Sequence, residues 1–599
     1  LTRQFQFACA LSLACLVCLG QSPWGDLRSL FRRAVDTHYA IPAYRSLDEW
    51  KLRRIVLRKQ VLTAAGLRPM LPKTPLHPRR FGRIDKGSFY IEKTLIETMP
   101  GYSLAGNLYL PKTSKPAPAV LIPHGHWKHG RVHDADDYSV PALAANLAHQ
   151  GYVAFTYDMV GYNDTRQTSH NFGGSEEEQL WGFSPLGLQL WNSIRSVDFV
   201  SALPEVDPRR IGVTGASGGA TQTLLLTAVE DRIQVSIPVC MVSATFQGDC
   251  ACEQAPGLRM NTSNLELAGL AAPRPMLLLS STKDWTKRTP AEEFPAIQSI
   301  YRIYGQESKV QSIQIDYRHN YNRTSREAAY RFLHRTLKPD SPLDSARENL
   351  TVDFRDEELL IGRSTPPSEF LDQAGVFARW RELSRQSLAS LSDVEREEML
   401  ASTLGVSWPR RVEALPAGPW LLLERFGSGD RVPSQWQPGQ SGQAAMFVHP
   451  GGVQEARRTQ QAVRIANTGS ALLFVDVFQT GTTKTDKRSV CGRDCLTYQR
   501  GDEANRVSDI LTGLSYLAAT HPGRITLHCS GKAGLWCVLA AALTPAYLKV
   551  DVDLTDSEGL ERPDFRARQV IPGLQRAGGV GEAMRLARSK HALHIESGD

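Results

Sequence analysis

Several features that mark special classes of protein are missing from this sequence. Behind the first twenty residues, no apolar run is long enough to cross a bilayer. No run of lysine or arginine marks a nucleic-acid tract. The formal net charge of +7 is dispersed along 599 residues, as on a solvated surface, so no nucleic-acid partner is expected. Cysteine is sparse at ten residues, and three of them, Cys9, Cys15 and Cys18, fall in the first eighteen positions. No cysteine spacing matches a four-ligand zinc motif, so neither metal nor another cofactor is expected. The close pairs Cys250/Cys252 and Cys491/Cys495 are read as structural cysteines, with at most one or two bridges where the compartment is oxidising. No blade-like repeat is visible. What remains is ordinary for a globular chain, 42% hydrophobic and 22% charged, and this length can bury a large core without staples.

Residues 1–22 read as a secretory signal peptide: Arg3, then the apolar stretch from Phe5 to a small Gly20. The expected destination is the periplasm or the extracellular space, with no stable membrane span after cleavage. An uncleaved anchor helix is the alternative. Cys15 and Cys18 raise a lipoprotein reading, but Ser12-Leu13-Ala14 and Cys15-Leu16-Val17 fit a lipidation signal poorly.

From about residue 87, strand and helix patterns alternate. Gly87 to Tyr109 reads as two strands around a Pro100-Gly101 turn. Ala119 to Pro123 and Tyr152 to Tyr157 are short continuous apolar runs, as in strands buried on both faces. Further strands are expected at Arg210–Thr214, Gln234–Val239, Met276–Ser280 and Val310–Ile315. Helices are expected at Val140–His149, Trp191–Leu203 and Ala220–Val229. This alternation predicts an α/β fold with a mostly parallel sheet covered on both faces. Residues 341–415, rich in proline, serine and charge, read as a helical connector. Beyond residue 416 the pattern returns as a faint copy. Ala444-Ala-Met-Phe-Val-His-Pro-Gly-Gly452 echoes Ala119-Val-Leu-Ile-Pro-His-Gly-His126, and Arg524-Ile-Thr-Leu-His-Cys-Ser-Gly531 echoes Arg210 to Ser217.

The chemistry centres on Gly215-Ala-Ser-Gly-Gly219, between a strand and a helix. A serine hydroxyl needs a base, an acid to orient the base, and fixed donors for the oxyanion. Ser217 is the candidate nucleophile on a sharp strand-to-helix turn. His319, just past the last strand, is the candidate base. His334, inside a helix, reads as a surface residue. Asp284, after Met276–Ser280, is the candidate acid, with Asp249 and Glu253 as rivals. The order Ser, Asp, His is the one such a fold uses. The backbone N–H groups of Gly218 and His126 are the candidate oxyanion donors. His124, His126, His129 and His133 resemble a metal cluster, but the oxyanion loop accounts for the first two without metal. Trp127, Trp285 and Tyr162 are candidate substrate-contacting residues, since aromatic faces at a mouth suit a sugar ring or an aryl group. Trp191 reads as core.

Through His124-Gly-His126, Gly215 to Gly219, Thr282-Lys-Asp-Trp285 and Arg318-His-Asn320, the chain resembles the α/β-hydrolase family. Within it, the likeness is to secreted bacterial esterases of the acetylxylan-esterase and dienelactone-hydrolase type. The resemblance covers roughly residues 87–338. It implies an α/β-hydrolase fold and a cofactor-free hydrolase of small-molecule or carbohydrate esters, working through an acyl-serine. The expected layout is a catalytic domain with an N-terminal extension (23–340), the connector (341–415) and a second, incomplete α/β-hydrolase-like domain (416–599). In that second copy Gly531 stands where Ser217 does, and Ser530 has His528 and Lys532 at the glycine positions. It also has no room for a last strand and its histidine, so it is expected to be non-catalytic and to pack on or cap the first. Two rival readings are a peptidase of the prolyl-oligopeptidase type and a non-catalytic binding protein.

Overall fold

The computed structural model describes residues 24–30, 33–351, 353–362, 370–485, 493–555 and 570–595. The proposed signal peptide lies outside these residues. Among them, no helix is long and apolar enough to cross a membrane.

The chain forms two compact units. The first spans residues 34–178 and 182–389. It contains nine strands: β1 (Arg79–Asp85), β2 (Phe89–Met99), β3 (Tyr102–Pro111), β4 (Ala117–Pro123), β5 (Val153–Tyr157), β6 (Val206–Ala216), β7 (Ile233–Val239), β8 (Met276–Lys283) and β9 (Val310–Arg318). They lie in the order β1-β2-β3-β5-β4-β6-β7-β8-β9. The first three run antiparallel to their neighbours, and β5 through β9 are parallel. This is the topology of an α/β-hydrolase. The centre of the parallel part demands strands buried on both faces, and every residue of β4 and β5 is buried.

Helices cover the sheet. Ser139 caps Val140–His149 by accepting from the Ala142 amide, with a proline in the first turn. Ser184 does the same for Pro185–Ser201 through Gly187. That cap and Pro185 begin the helix well before Trp191, where apolar spacing alone had placed its start. A continuous core of Tyr109, Val120, Ile122, Tyr138, Ile237 and Tyr321 lies against one face of the sheet. His334 corrects the sequence reading. It is buried in helix Arg323–Leu337, with Nδ1 3.1 Å from Tyr152 Oη and Nε2 3.0 Å from Ser345 Oγ. Burial takes its pKa down to about 4. It is a neutral core histidine.

The second unit takes in the described residues from 390 onward, together with 24–30 and 179–181. Its strands are β10 (Val412–Ala417), β11 (Trp420–Arg425), β12 (Arg431–Gln437), β13 (Ala444–Val448), β14 (Ala471–Val475), β15 (Ile525–Cys529), β16 (Val550–Asp553) and β17 (Ala592–His594). The order β10-β11-β12-β14-β13-β15-β16-β17 repeats the first eight strands of the other sheet, including the crossover at the centre. No ninth strand is present among the described residues. Two boundaries differ from the sequence reading. The stretch 341–415 is divided: helix Gln373–Ala389 belongs to the first unit, helix Asp393–Leu404 to the second, and β10 starts inside it. Residues 24–30 group with the second unit rather than the first.

That segment is tied to the second unit by the Trp24 ring beside Trp420 at 5.3 Å, by a Trp24 Nε1 bond to Thr482 Oγ1 at 3.0 Å, and by buried charge. Arg28 is nearly buried, and its guanidinium reaches Asp26 and Asp509 at 2.6 Å each and Asp430 at 3.8 Å. All three carboxylates are buried. Burial raises Asp509 to about 6, and Arg28 opposes that shift. Removing one partner of a buried ion cluster leaves charge uncompensated. Arg28→Leu is therefore expected to cost the second unit on the order of 3–5 kcal/mol, read as a lower midpoint in urea unfolding of the full chain. An unchanged midpoint would show that the cluster carries no stability.

Candidate active site

β6 ends at Ala216, and Ser217 begins the turn into helix Gly218–Val229 with φ 56° and ψ −125°. A non-glycine residue at positive φ is strained and needs surroundings that hold it there. The glycines on either side supply them by absence. A Cβ on Gly215 would lie 2.4 Å from the Pro123 carbonyl oxygen, and one on Gly219 2.2 Å from the same atom. The turn therefore presses against the carboxyl end of β4 in a way no larger residue permits. The Ser217 N–H donates to the Val239 carbonyl at 3.0 Å, which ties the turn to β7 as well. The first amides of the following helix have no carbonyl four residues back and point toward the serine end.

Asp284 and His319 follow β8 and β9. His319 Nδ1 lies 2.9 Å from Asp284 Oδ2, and the other carboxylate oxygen accepts from the Thr286 amide at 2.7 Å and its hydroxyl at 2.6 Å. Burial works against ionisation of Asp284, but the hydrogen bonds from His319 and Thr286 outweigh it and hold the carboxyl below its ordinary range. An ionised Asp284 accepts from Nδ1–H, so the neutral imidazole carries its lone pair on Nε2. The rival acid Glu253 is buried, and its oxygens are used by the amides of Asp249 and Cys250 and by the Thr221 hydroxyl.

Two tryptophans flank the imidazole. Trp127 stacks on His319 at 5.6 Å between ring centroids and 7° between planes, and Trp285 lies against it at 4.6 Å and 39°. Both are candidate substrate-contacting residues, and both rings lie beside the candidate base. Tyr162 meets the rings of His124 and His170 edge-on at 4.9 and 5.1 Å.

In the loop after β4, His124 and His126 do different things. His124 is fully buried. Its Nε2 accepts from the Met159 amide at 3.0 Å, and its Nδ1 faces the Gly125 carbonyl at 2.7 Å. Burial takes its pKa down to about 3, so it is a neutral strut between two loops. His126 sits over the start of the helix: a Cβ on Gly218 would lie 2.6 Å from His126 Cε1. The two residues expected to supply oxyanion donors are therefore side by side. The His129 and His133 rings stack on each other at 6.1 Å.

Sequence reading missed two sets of residues here. One is a buried charge network. Arg131 binds both Asp158 and Asp164 and donates to Asn107 Oδ1 at 2.8 Å, while Asp158 also accepts from Asn163 and the Asp164 amide at 3.0 Å. It holds the loop after β5 against the loop after β4. The other is a group of His126, His170, Cys250 and Cys252, one ligand-type atom from each lying within 4.8 Å of the others. The hydrogen bond from Cys252 holds the Cys250 thiol well below its ordinary range against the pull of burial, with help from His126 and His170, while burial pushes Cys252 up. The only sequence signal was the Cys-x-Cys spacing.

The matching place in the second unit is altered. Gly531 carries φ 51°, close to the value of Ser217, so a glycine occupies the turn. Cys529 is bonded to Cys537. A histidine–acid pair exists, His528 Nδ1 to Asp553 Oδ2 at 3.0 Å, but His528 lies within β15 itself.

Residues 92–248 match the acetyl xylan esterase (AXE1) family. The chain thus carries an α/β-hydrolase unit of the carboxylic-ester hydrolase class. The match includes Ser217 and stops short of Asp284. A Bacillus subtilis protein named "Putative hydrolase YtaP" is 26% identical over 275 residues, 43% of this chain and 91% of that protein. Among solved structures, "Methylesterase BT1017" is 25% identical with a TM-score of 0.45, covering 58% of this chain and 77% of its own. A glucuronoyl esterase from Solibacter usitatus is 14% identical with a TM-score of 0.37, covering 51% and 98%.

If Asp284 orients the base, Asp284→Asn leaves the geometry but imposes the wrong tautomer on His319. The expected result is a loss in kcat of about ten-thousand-fold with little change in KM, measured on an activated aryl ester. A loss under tenfold would remove Asp284 from that role.

Proposed function

We propose that the first unit hydrolyses carboxylic esters through an acyl-serine formed on Ser217, with His319 as base and Asp284 as its orienting acid. The observation that carries this reading is the strained Ser217 at the elbow, on the same strand ends as a hydrogen-bonded Asp284–His319 pair. Ser217 Oγ attacks the ester carbonyl as its proton passes to His319 Nε2. The backbone N–H groups of Gly218 and His126 receive the oxyanion. His319 then returns the proton to the departing alcohol, and a water deprotonated by the same nitrogen releases the acid and regenerates Ser217.

The substrate reading is a small acyl or carbohydrate-linked ester. The family match and the aromatic groups Trp127, Trp285 and Tyr162 around the site support it. The second unit is read as non-catalytic, since a glycine replaces the nucleophile and Cys529 is consumed in a disulfide. Export is part of the proposal and rests on the apolar leader.

The test is a panel of acyl p-nitrophenyl esters, acetylated xylan and uronate methyl esters, run on wild type beside Ser217→Ala, with a fluorophosphonate probe in parallel. Wild type should turn over at least one ester and label at Ser217. The variant should lose at least about ten-thousand-fold in kcat and all labelling. Activity intact in Ser217→Ala, or turnover of proline peptides with none of the esters, would overturn the reading.

A further inference from the structure

Three loops at the carboxyl ends of parallel strands bring together two imidazoles and two thiols. His126 follows β4, His170 follows β5, and Cys250 and Cys252 follow β7. His126 Nε2 lies 2.9 Å from Cys252 Sγ, and His170 Nε2 lies 3.5 Å from Cys250 Sγ. All four ligand atoms fall within 4.8 Å of one another. A tetrahedral zinc ion, at about 2.3 Å from sulfur and 2.0–2.1 Å from nitrogen, separates its ligand atoms by about 3.3–3.8 Å. Small side-chain shifts bring this set to those values. Both thiols are free in this structure.

The surroundings have the features of a built site. His170 Nδ1 donates to the Val160 carbonyl at 2.6 Å, which fixes the tautomer whose Nε2 lone pair faces the thiols. Metal-ligating histidines are oriented by such a partner. Glu253 receives the Asp249 and Cys250 amides at 3.2 and 3.3 Å and so shapes the cysteine loop. His126 is exposed, His170 and Cys250 are half-buried and Cys252 is buried, so an ion has a way in. Among the described residues the other grouping of this kind, Cys240 with Asp284 and His319, belongs to the site already described.

We propose that His126 Nε2, His170 Nε2, Cys250 Sγ and Cys252 Sγ form a four-ligand site for a thiophilic divalent cation, zinc above all. In the bound form both sulfurs are thiolates, any proton still on them having passed to solvent, and with two neutral imidazoles they neutralise the dication. Four protein ligands close the site, so the ion is structural and ties the loops after β4, β5 and β7 into one rim. One of those loops presents the His126 amide. That consequence for the oxyanion donor rests on the reading of Ser217 as nucleophile, whereas metal binding does not.

The experiment uses the full chain, reduced and freed of metal by chelation. It is titrated with Zn2+ against a chromophoric chelator, and separately with Co2+. One equivalent should bind per chain, and the Co2+ form should show thiolate-to-metal charge transfer and the intense visible bands of a tetrahedral site. Cys250→Ser/Cys252→Ser and His170→Ala should each weaken binding by more than about 100-fold, beyond the range typical for an outer-shell partner. The cobalt spectrum of the unmutated protein stands even if a variant fails to fold. No stoichiometric uptake, a cobalt spectrum without thiolate bands, unchanged affinity in well-folded variants, or a Cys250–Cys252 disulfide in the native protein would overturn the proposal. Fluorophosphonate labelling in the same samples reports on Ser217 independently.

Discussion

The first unit depends on one close approach. The Pro123 carbonyl at the end of β4 sits where Cβ atoms of Gly215 and Gly219 would otherwise be. That contact lets the chain leave β6, turn within one residue at positive φ, and enter a helix whose axis starts at Ser217. Everything else at the site is arranged relative to this fixed point. The loops after β4, β5, β7, β8 and β9 all emerge on the same side of the sheet, because parallel strands send their carboxyl ends to one edge. The strain at Ser217 is thus held by packing that any larger residue at either glycine would disrupt.

Around that point the molecule uses buried polar groups as fasteners rather than as reactive groups. His124 is a neutral strut, His334 a neutral core residue, and Arg131 with Asp158 and Asp164 a clasp between loops. Arg28 with its three carboxylates does similar work in the second unit. Such groups are tolerated inside because their hydrogen-bonding capacity is used. They also explain why titratable residues are numerous near the candidate Asp284–His319 pair without being part of it.

The second unit shows how a fold can persist when one local requirement is relaxed. Its strand order repeats the first sheet through eight strands. Its elbow keeps the positive φ but has glycine there, where the conformation carries no strain. A disulfide from Cys529 into the next helix fastens the turn at the position where the first unit relies on glycine packing.

The sequence by itself determined the periodicities, and so the α/β class, the duplication, the elbow at Ser217 and the neighbourhood of Asp284 and His319. Those signals are local: a strand buried on both faces must be apolar throughout, and a sharp turn must be flanked by small residues. What only the tertiary structure decided was which distant residues share a space. Burial of His334 depends on Tyr152 and Ser345 packing against it. The grouping of residues 24–30 with the second unit depends on where Trp24 finds a ring and Arg28 finds carboxylates. His126, His170, Cys250 and Cys252 come from three loops with no common spacing, so beyond the Cys-x-Cys pair no linear motif announces them. Their meeting follows from strand order, which places the ends of β4, β5 and β7 around one helix terminus, and strand order is a property of packing rather than of any segment read alone.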